Sequence, residues 1–220
     1  MSDKKQLPLW QESVLLVATA LIMAVIVKAF LVQAFYIPSG SMEPTMLVND
    51  RILVQKVSYW AGDPHRGDIV VFDDPGGWLG PELSRKPSNF VQSTLEIFGL
   101  FPTGGHLIKR VIGVGGDRVV CCTKAGQITV NGTPLVEPYL LDKSVNTDEP
   151  FDVKVPAHYL WVMGDNRGNS ADSRAHLGDP GGGFIPEKKV VGKAWLRVWP
   201  LSRAGFIDYP KTFDKLNAKD

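Results

Sequence analysis

Ser41 is the first residue in the sequence whose setting suits acyl transfer. It lies in residues 38–45 (PSGSMEPT), where glycine and proline frame it on a tight turn that would expose its hydroxyl. A serine hydroxyl becomes a nucleophile when a neighbouring base takes its proton and N–H groups stabilise the resulting oxyanion. Because a Ser-Gly-Ser turn is also typical of ordinary loops, the chemistry requires a base from elsewhere in the chain.

A candidate base, Lys109, lies in the apolar residues 107–113 (LIKRVIG). In a β-strand, side-chain alternation places Lys109 on the same face as Leu107 and Val111. Burial among apolar side chains lowers the pKa of a lysine, and the neutral amine can then act as a general base. The sequence also allows a lysine that extends into solvent from an edge strand.

Two further segments are distinctive in their composition. Residues 164–174 (GDNRGNSADSR) are dense in side chains that bind backbone groups in tight loops. Within them, Asp172 and Arg174 could form an ion pair or cap separate groups. Residues 66–72 (RGDIVVF) indicate a turn that leads into a strand, and we interpret them as scaffold.

Other chemistries fit the sequence less well. The four histidines lie outside segments typical of a Ser-His-Asp triad; they are His65, His106, His158 and His176. Because no cluster has metal-ligand spacing, we expect no metal and no other cofactor. The net charge is +1 and the basic residues are scattered, so we expect no nucleic-acid partner.

The elements that must position these residues are short strands. After residue 35, runs rich in Val and Ile alternate with Gly, Pro, Asn and Asp, and Asn131-Gly132 predicts a hairpin. We predict a mainly β fold, a partly closed barrel or sandwich. Residues 73–105 form an insertion, in which residues 90–101 have near-helical apolar spacing. That spacing suits either a core helix or a lid or membrane-contacting segment.

Residues 14–35 are almost entirely apolar. A helix of that length rises about 30 Å, the hydrocarbon thickness of a bilayer. The stretch is too long for a cleaved signal peptide and lacks the polar face of a buried soluble helix. We therefore predict a transmembrane helix, with residues 1–13 in the cytoplasm and residues 36–220 as an extracytoplasmic catalytic domain. The positive-inside rule favours this orientation only mildly.

The cysteines Cys121 and Cys122 are adjacent. Neighbouring Cα atoms lie about 3.8 Å apart across a trans peptide, closer than the usual disulfide range. In a strand, their side chains would also point to opposite faces. We therefore expect two free thiols.

Together, PSGSMEPT, RGDIVVF, IKRVIGVGGD and GDNRGNSADSR follow the apolar segment in an order that resembles the bacterial type I signal peptidases. These are Ser-Lys proteases of the inner membrane, and the resemblance extends to about residues 190–199. It implies a single-pass membrane protein with a β-rich catalytic domain outside the cytoplasmic membrane. The implied partners are the lipid bilayer and signal-peptide-bearing preproteins, and we expect the enzyme to function as a monomer.

The resemblance also implies roles for individual residues. Ser41 would be the nucleophile and Lys109 the general base. Ser39 would donate its hydroxyl to the oxyanion hole together with the Ser41 N–H, and Ser170 would orient the Lys109 amine. The remaining matched positions are the supporting residues Arg110, Asp172 and Arg174, and the residues Ile37, Met42 and Ile108, which would line shallow pockets for small substrate side chains.

Gly168 departs from the family's pattern, which usually has an acid at this position, so the geometry of that loop is the feature most affected. Two other functions remain open from the sequence. The same chemistry could mature conjugation or pilus proteins, or the chain could be a non-catalytic, membrane-tethered β-domain that binds a partner. A self-cleaving repressor with a similar Ser-Lys core would lack the apolar anchor.

Overall fold

The computed structural model describes residues 8–60, 62–80, 89, 105–142 and 150–218, with only the backbone described for residues 25–30. The helical segment predicted over residues 90–101 lies outside these ranges. Within them the chain forms two α-helices, α1 (Leu9–Phe30) and α2 (Asp214–Asn217). The strands are β1 (Val32–Tyr36), β2 (Arg51–Gln55), β3 (Ile69–Asp73), β4 (His106–Gly113), β5 (Arg118–Cys121), β6 (Thr129–Val130), β7 (Thr133–Pro134), β8 (Phe151–Lys154), β9 (Tyr159–Met163), β10 (Ile185–Pro186), β11 (Val190–Trp199) and β12 (Gly205–Phe206).

The strands form two antiparallel sheets, which confirms the prediction of a mainly β fold. The larger sheet has the order β1-β2-β11-β3-β4-β9-β10, with β12 paired to β11, and the smaller sheet has the order β7-β6-β5-β8. Among the described strands, neither order returns to its first strand. The predicted hairpin joins β6 to β7, and its Asn131 and Gly132 have φ values of 51° and 77°. Positive φ at both central residues is characteristic of the type I′ turn, a two-residue hairpin turn whose twist matches that of the flanking strands.

Strand β4 lies inside the larger sheet, between β3 and β9. Its residues are buried from Leu107 to Gly113, so both of its faces are covered. One apolar cluster contains Leu107 and Val111, and another contains Ile108. A polar side chain on β4 is therefore forced into the interior.

The turn that precedes β3 is held by Asp117, which lies between β4 and β5, and by the C-terminal segment. Arg66 binds Asp117 through Nε at 2.6 Å, and the Tyr209 hydroxyl donates to the Arg66 carbonyl at 2.8 Å. Gly67 has a φ of +93°, and a Cβ there would lie within 3.0 Å of the rings of Tyr209 and Phe213. These contacts fix the entry to β3, in agreement with the interpretation of residues 66–72 as scaffold.

The apolar N-terminal segment differs from its prediction at both ends, and helix α1 begins at Leu9, before the predicted start at residue 14. Helix α1 ends at Phe30, and Val32–Tyr36 forms β1, which pairs with β2, so the helical boundary predicted at residue 35 is wrong. Strand β2 supplies hydrogen-bond partners to the backbone of residues 32–36. The apolar pattern of these residues did not distinguish a helix from a strand. Within the described residues, none of the helices combines the length and apolarity that crossing a membrane requires.

Cys121 and Cys122 form a disulfide with each other, so the expectation of two free thiols is wrong. That expectation assumed a trans peptide bond. The peptide between the two cysteines is cis, and Cys122 lies beyond the end of β5, so the alternation of an extended strand does not direct their side chains to opposite faces.

Candidate active site

Ser41 lies in a 3-10 turn, Gly40–Met42, between β1 and β2. The loop after β9 holds this turn by its backbone. The Asn166 N–H donates to the Ser41 carbonyl at 3.1 Å, and the Asn166 side-chain amide donates to the Gly40 carbonyl at 3.0 Å. Two segments far apart in sequence therefore position the Ser41 hydroxyl.

Strand β4 brings Lys109 to the same point. Its Nζ donates a hydrogen bond of 2.8 Å to the Ser41 Oγ. Lys109 and Ser41 are 4% and 6% exposed, so the contact is shielded from bulk water. In the sheet, Lys109 lies opposite Val70, a member of the apolar cluster that also contains Leu107 and Val111. In the described part of the chain, no histidine binds the Ser41 hydroxyl.

Burial lowers the pKa of Lys109 to about 8, and the negative charges of Asp172 and Asp165 oppose this change. The apolar surroundings disfavour the ammonium form, whereas the two carboxylates favour it. The amine is therefore far easier to deprotonate than that of a lysine in solvent.

Asp165 links three parts of the site. It accepts two hydrogen bonds from Arg110, from Nε at 2.8 Å and from Nη2 at 2.6 Å. It also accepts a hydrogen bond from the hydroxyl of Thr45, which follows the turn that contains Ser41. The guanidinium of Arg110 contacts the Gly67 carbonyl at 2.9 Å as well. Asp165 and Thr45 were not among the predicted site residues, although Asp165 lies in the distinctive loop.

Asp172 and Arg174 form an ion pair, one of the two arrangements that the sequence allowed. Arg174 Nε and Nη2 lie 2.9 Å from the two carboxylate oxygens. Asp172 also caps the Gly164 N–H at 3.0 Å, and it is fully buried. The pair therefore fixes the start of the loop that holds the Ser41 turn.

The two supporting serines differ in their placement. The Ser39 Oγ lies 3.4 Å from the Ser41 Oγ, so these hydroxyls are neighbours. The Ser170 hydroxyl is buried and has no hydrogen-bond partner among the described residues, so the structure does not bring it into a hydrogen bond with Lys109. It lies beside Gly164, where a Cβ would approach both the Ser170 side chain and the Ser41 carbonyl to within 3.0 Å. Gly164 was missed from the sequence, because nothing in the sequence marks a close backbone contact.

The three predicted pocket residues lie together in one apolar cluster. Ile37, Met42 and Ile108 are all buried, and the other members of the cluster are Met46 and residues of β2, β3 and β11. This cluster contains the residue directly after Ser41 and the residue directly before Lys109.

Arg167 and Glu137 form a buried ion pair that the sequence analysis missed. Arg167 precedes the exposed Gly168, and its counter-ion comes from a residue 30 positions earlier in the chain. An arginine in a tight loop signals the need for a counter-ion, but sequence alone does not identify a partner so distant.

A mainly β domain in which a buried lysine amine contacts the hydroxyl of a turn serine has an arrangement that suits a serine peptidase. The family model described as "Signal peptidase, peptidase S26" matches residues 10–199, and the chain belongs to this family. The resemblance recognised in the sequence is therefore confirmed.

Several relatives are similar over most of their length. A probable signal peptidase I of Mycobacterium leprae is 40% identical, and the alignment covers 93% of this chain and 81% of the relative. A signal peptidase I of Mycobacterium tuberculosis is also 40% identical, over 90% of this chain and 75% of the relative. A probable signal peptidase I-2 of Synechocystis is 38% identical, over 94% and 82%.

Proposed function

We propose that this protein is a membrane-bound serine endopeptidase that removes signal peptides from exported preproteins, with Ser41 as nucleophile and Lys109 as general base. The observation that carries the proposal is the 2.8 Å contact between the Lys109 Nζ and the Ser41 Oγ, in a buried setting. Membership of the signal peptidase family and the names of the relatives support the choice of substrate.

The proposed reaction begins with a neutral Lys109 amine, which accepts the Ser41 hydroxyl proton as the Oγ attacks the scissile carbonyl. The resulting ammonium then donates this proton to the leaving amine, and the C–N bond breaks to give an acyl-enzyme. In the second half, Lys109 takes a proton from water, and the hydroxide releases the signal peptide with a free carboxylate. Lys109 returns the proton to Ser41, so the enzyme is regenerated.

The oxyanion of each tetrahedral intermediate would be stabilised by the Ser41 N–H and the Ser39 hydroxyl. The support is the 3.4 Å separation of the two hydroxyl oxygens. We propose that Ser170 orients the Lys109 amine, because its buried hydroxyl has no partner among the described residues. Asp172, Arg174 and Arg110 would hold this arrangement together.

The cluster of Ile37, Met42 and Ile108 would provide shallow apolar pockets for small substrate side chains. Met42 follows Ser41 and Ile108 precedes Lys109 in sequence, and Ile37 belongs to the same apolar cluster. Pockets formed by this cluster would favour substrate side chains that are small enough to enter without displacing its members.

We also propose that the N-terminal segment anchors the enzyme in the cytoplasmic membrane, with the catalytic domain on the extracytoplasmic side. The support is a run of large apolar side chains on α1 that are exposed, namely Val14, Leu15, Leu16, Val17, Leu21, Ile22 and Met23. Holding enzyme and signal peptide in one membrane would raise their effective concentration and fix their orientation. Extraction of the protein from membranes by alkaline carbonate would contradict this anchoring.

The test is cleavage of a secretory preprotein by the purified full chain, with the cut site determined by mass spectrometry. Ser41→Ala and Lys109→Met should both abolish cleavage. The matched controls are Ser202→Ala and Lys154→Met, at exposed positions, and these should retain it. Cleavage by Ser41→Ala at the wild-type rate would favour the non-catalytic alternative, and cleavage of pilin precursors alone would favour the maturation peptidase.

A further inference from the structure

Residues 137–139 contact two buried arginines: Arg110, which follows Lys109 on β4, and Arg167, in the loop after β9. The Glu137 carboxylate accepts a hydrogen bond from Arg167 Nη1 at 3.3 Å and a second, shorter one from Nη2. The ring of Tyr139 lies against Arg110, whose Cζ is 4.1 Å from the ring centroid. The Tyr139 hydroxyl donates to Glu137 at 2.7 Å, so the segment is also bound to itself.

Each of these arginines leads to a carboxylate beside Lys109. Arg110 follows Lys109 on β4 and binds Asp165 through two hydrogen bonds. Arg167 donates to the Gly164 carbonyl at 2.9 Å, and its own carbonyl accepts from Arg174 at 2.8 Å. Arg174 in turn binds Asp172.

We infer that Glu137 and Tyr139 are positioning residues for the Ser41–Lys109 pair, acting through Arg167 and Arg110. Neither residue touches the reacting atoms. This inference rests on the proposed function, because it assigns the two residues a part in the same reaction.

Burial makes the contribution of Glu137 hard to replace. The side chains of Arg167 and Glu137 are 0% and 4% exposed. A buried guanidinium without a counter-ion is strongly unfavourable, because no ion pair compensates for the hydration that the charge has lost. Without the Glu137 charge, Arg167 would be drawn to the nearest remaining carboxylate, and Asp172 already acts on it electrostatically.

The charged groups around Lys109 determine what such a change does. The carboxylates that act on its amine are Asp165 and Asp172, both in the loop after β9. The cations bound to them are Arg110 and Arg174. If Arg167 moves toward Asp172, its positive charge offsets more of the Asp172 charge. Less negative charge then remains to favour the ammonium form of Lys109. The pKa of the amine then falls further.

The test compares the pH dependence of kcat/KM for preprotein cleavage in the wild type and in Glu137→Gln. We expect the inflection to move to lower pH by roughly half a pH unit or more, together with a lower kcat and a nearly unchanged KM. The matched control is Asp152→Asn, which removes a carboxylate bound in the same two-point manner by Arg118, but on the exposed surface of the smaller sheet. It should leave the inflection in place.

Three further variants separate positioning from ordinary stabilisation. Adding Arg167→Met to Glu137→Gln removes the guanidinium that has lost the Glu137 charge. The inflection of the pH profile should then return toward that of the wild type. Glu137→Asp keeps the charge but shortens its reach, so kcat should fall without a shift of the inflection. Tyr139→Phe should retain most of kcat, whereas Tyr139→Leu, which removes the ring from Arg110, should not.

An unchanged inflection in Glu137→Gln, or a shift that the double variant does not reverse, would overturn the inference. If Glu137→Gln fails to fold, Glu137→Asp and the two Tyr139 variants carry the test, and wild-type kcat in Glu137→Asp or Tyr139→Leu would overturn it. Cleavage by Ser41→Ala would instead defeat the proposed function, so the two failures are distinguishable.

Discussion

Arg110 binds Asp165 inside the domain with two hydrogen bonds, and the two side chains are 1% and 0% exposed. The residue next to the candidate base is thereby joined to the loop that holds the turn containing Ser41. A buried pair of this kind contributes more to geometry than to net stability, but the loss of one partner leaves the other charge buried alone.

The first prediction concerns this pair. Asp165→Asn should destabilise the folded protein by about 3–5 kcal/mol, because Arg110 loses its buried counter-ion. Urea denaturation followed by tryptophan fluorescence measures the loss. Asp152→Asn, which breaks an exposed ion pair, serves as the control and should change little. Equal stability of Asp165→Asn and the wild type would contradict the prediction.

The second prediction concerns the pH dependence of catalysis. Since Lys109 must be neutral to accept the Ser41 proton, kcat/KM should rise with pH and level off above the pKa of about 8. A steady-state profile between pH 6 and pH 10 checks this. A rise that continues to the region of an ordinary lysine, about 10.4, would show that the amine is not perturbed.

The third prediction concerns stability. The pKa of Lys109 is about 8 in the folded protein and 10.5 in the reference state, so the unfolded chain binds more protons between these values. Stability therefore rises with pH in this window, by about 3 kcal/mol in total for this one group. The free energy of unfolding of the wild type minus that of Lys109→Met should thus increase from pH 7.5 to pH 10.5. A constant difference would contradict the lowered pKa.

The fourth prediction concerns Gly164. A Cβ at this position would lie within 3.0 Å of the Ser41 carbonyl and the Ser170 side chain, and the carbonyl belongs to the backbone. Gly164→Ala should displace the turn containing Ser41, lowering kcat at least roughly 10-fold, since a misplacement of about 1 Å can reduce rates 100-fold. Gly178→Ala is the control, since nothing lies within 4 Å of its Cβ. Comparable kcat in both variants would contradict the account.

Much of the fold could be predicted because the strands carry strong local patterns. The runs that became β3, β4, β9 and β11 are rich in Val and Ile and are bounded by turn residues. The end of α1 could not be placed, since β1 continues the same apolar composition and only its pairing with β2 distinguishes it. The cysteine prediction failed because it assumed a trans peptide inside a strand, whereas this peptide is cis and β5 ends at Cys121.

In the candidate site, as in the fold, some residues have a local sequence signal and others depend on distant contacts. Ser41 and Lys109 lie in distinctive local segments, so their types and surroundings could be interpreted without coordinates. Glu137 and Tyr139 contact partners far away in the sequence, and at Gly164 two backbone segments approach each other closely. Such contacts arise only when the fold brings distant segments together.

The role of Lys109 as the base can be tested by a 15N NMR titration of its side-chain amine in the folded protein, with Lys109→Met used to assign the signal. We expect a midpoint near the pKa of about 8, because the amine is buried against the Ser41 hydroxyl. A midpoint near 10.4, about that of an ordinary exposed lysine, would contradict the role of Lys109 as the base.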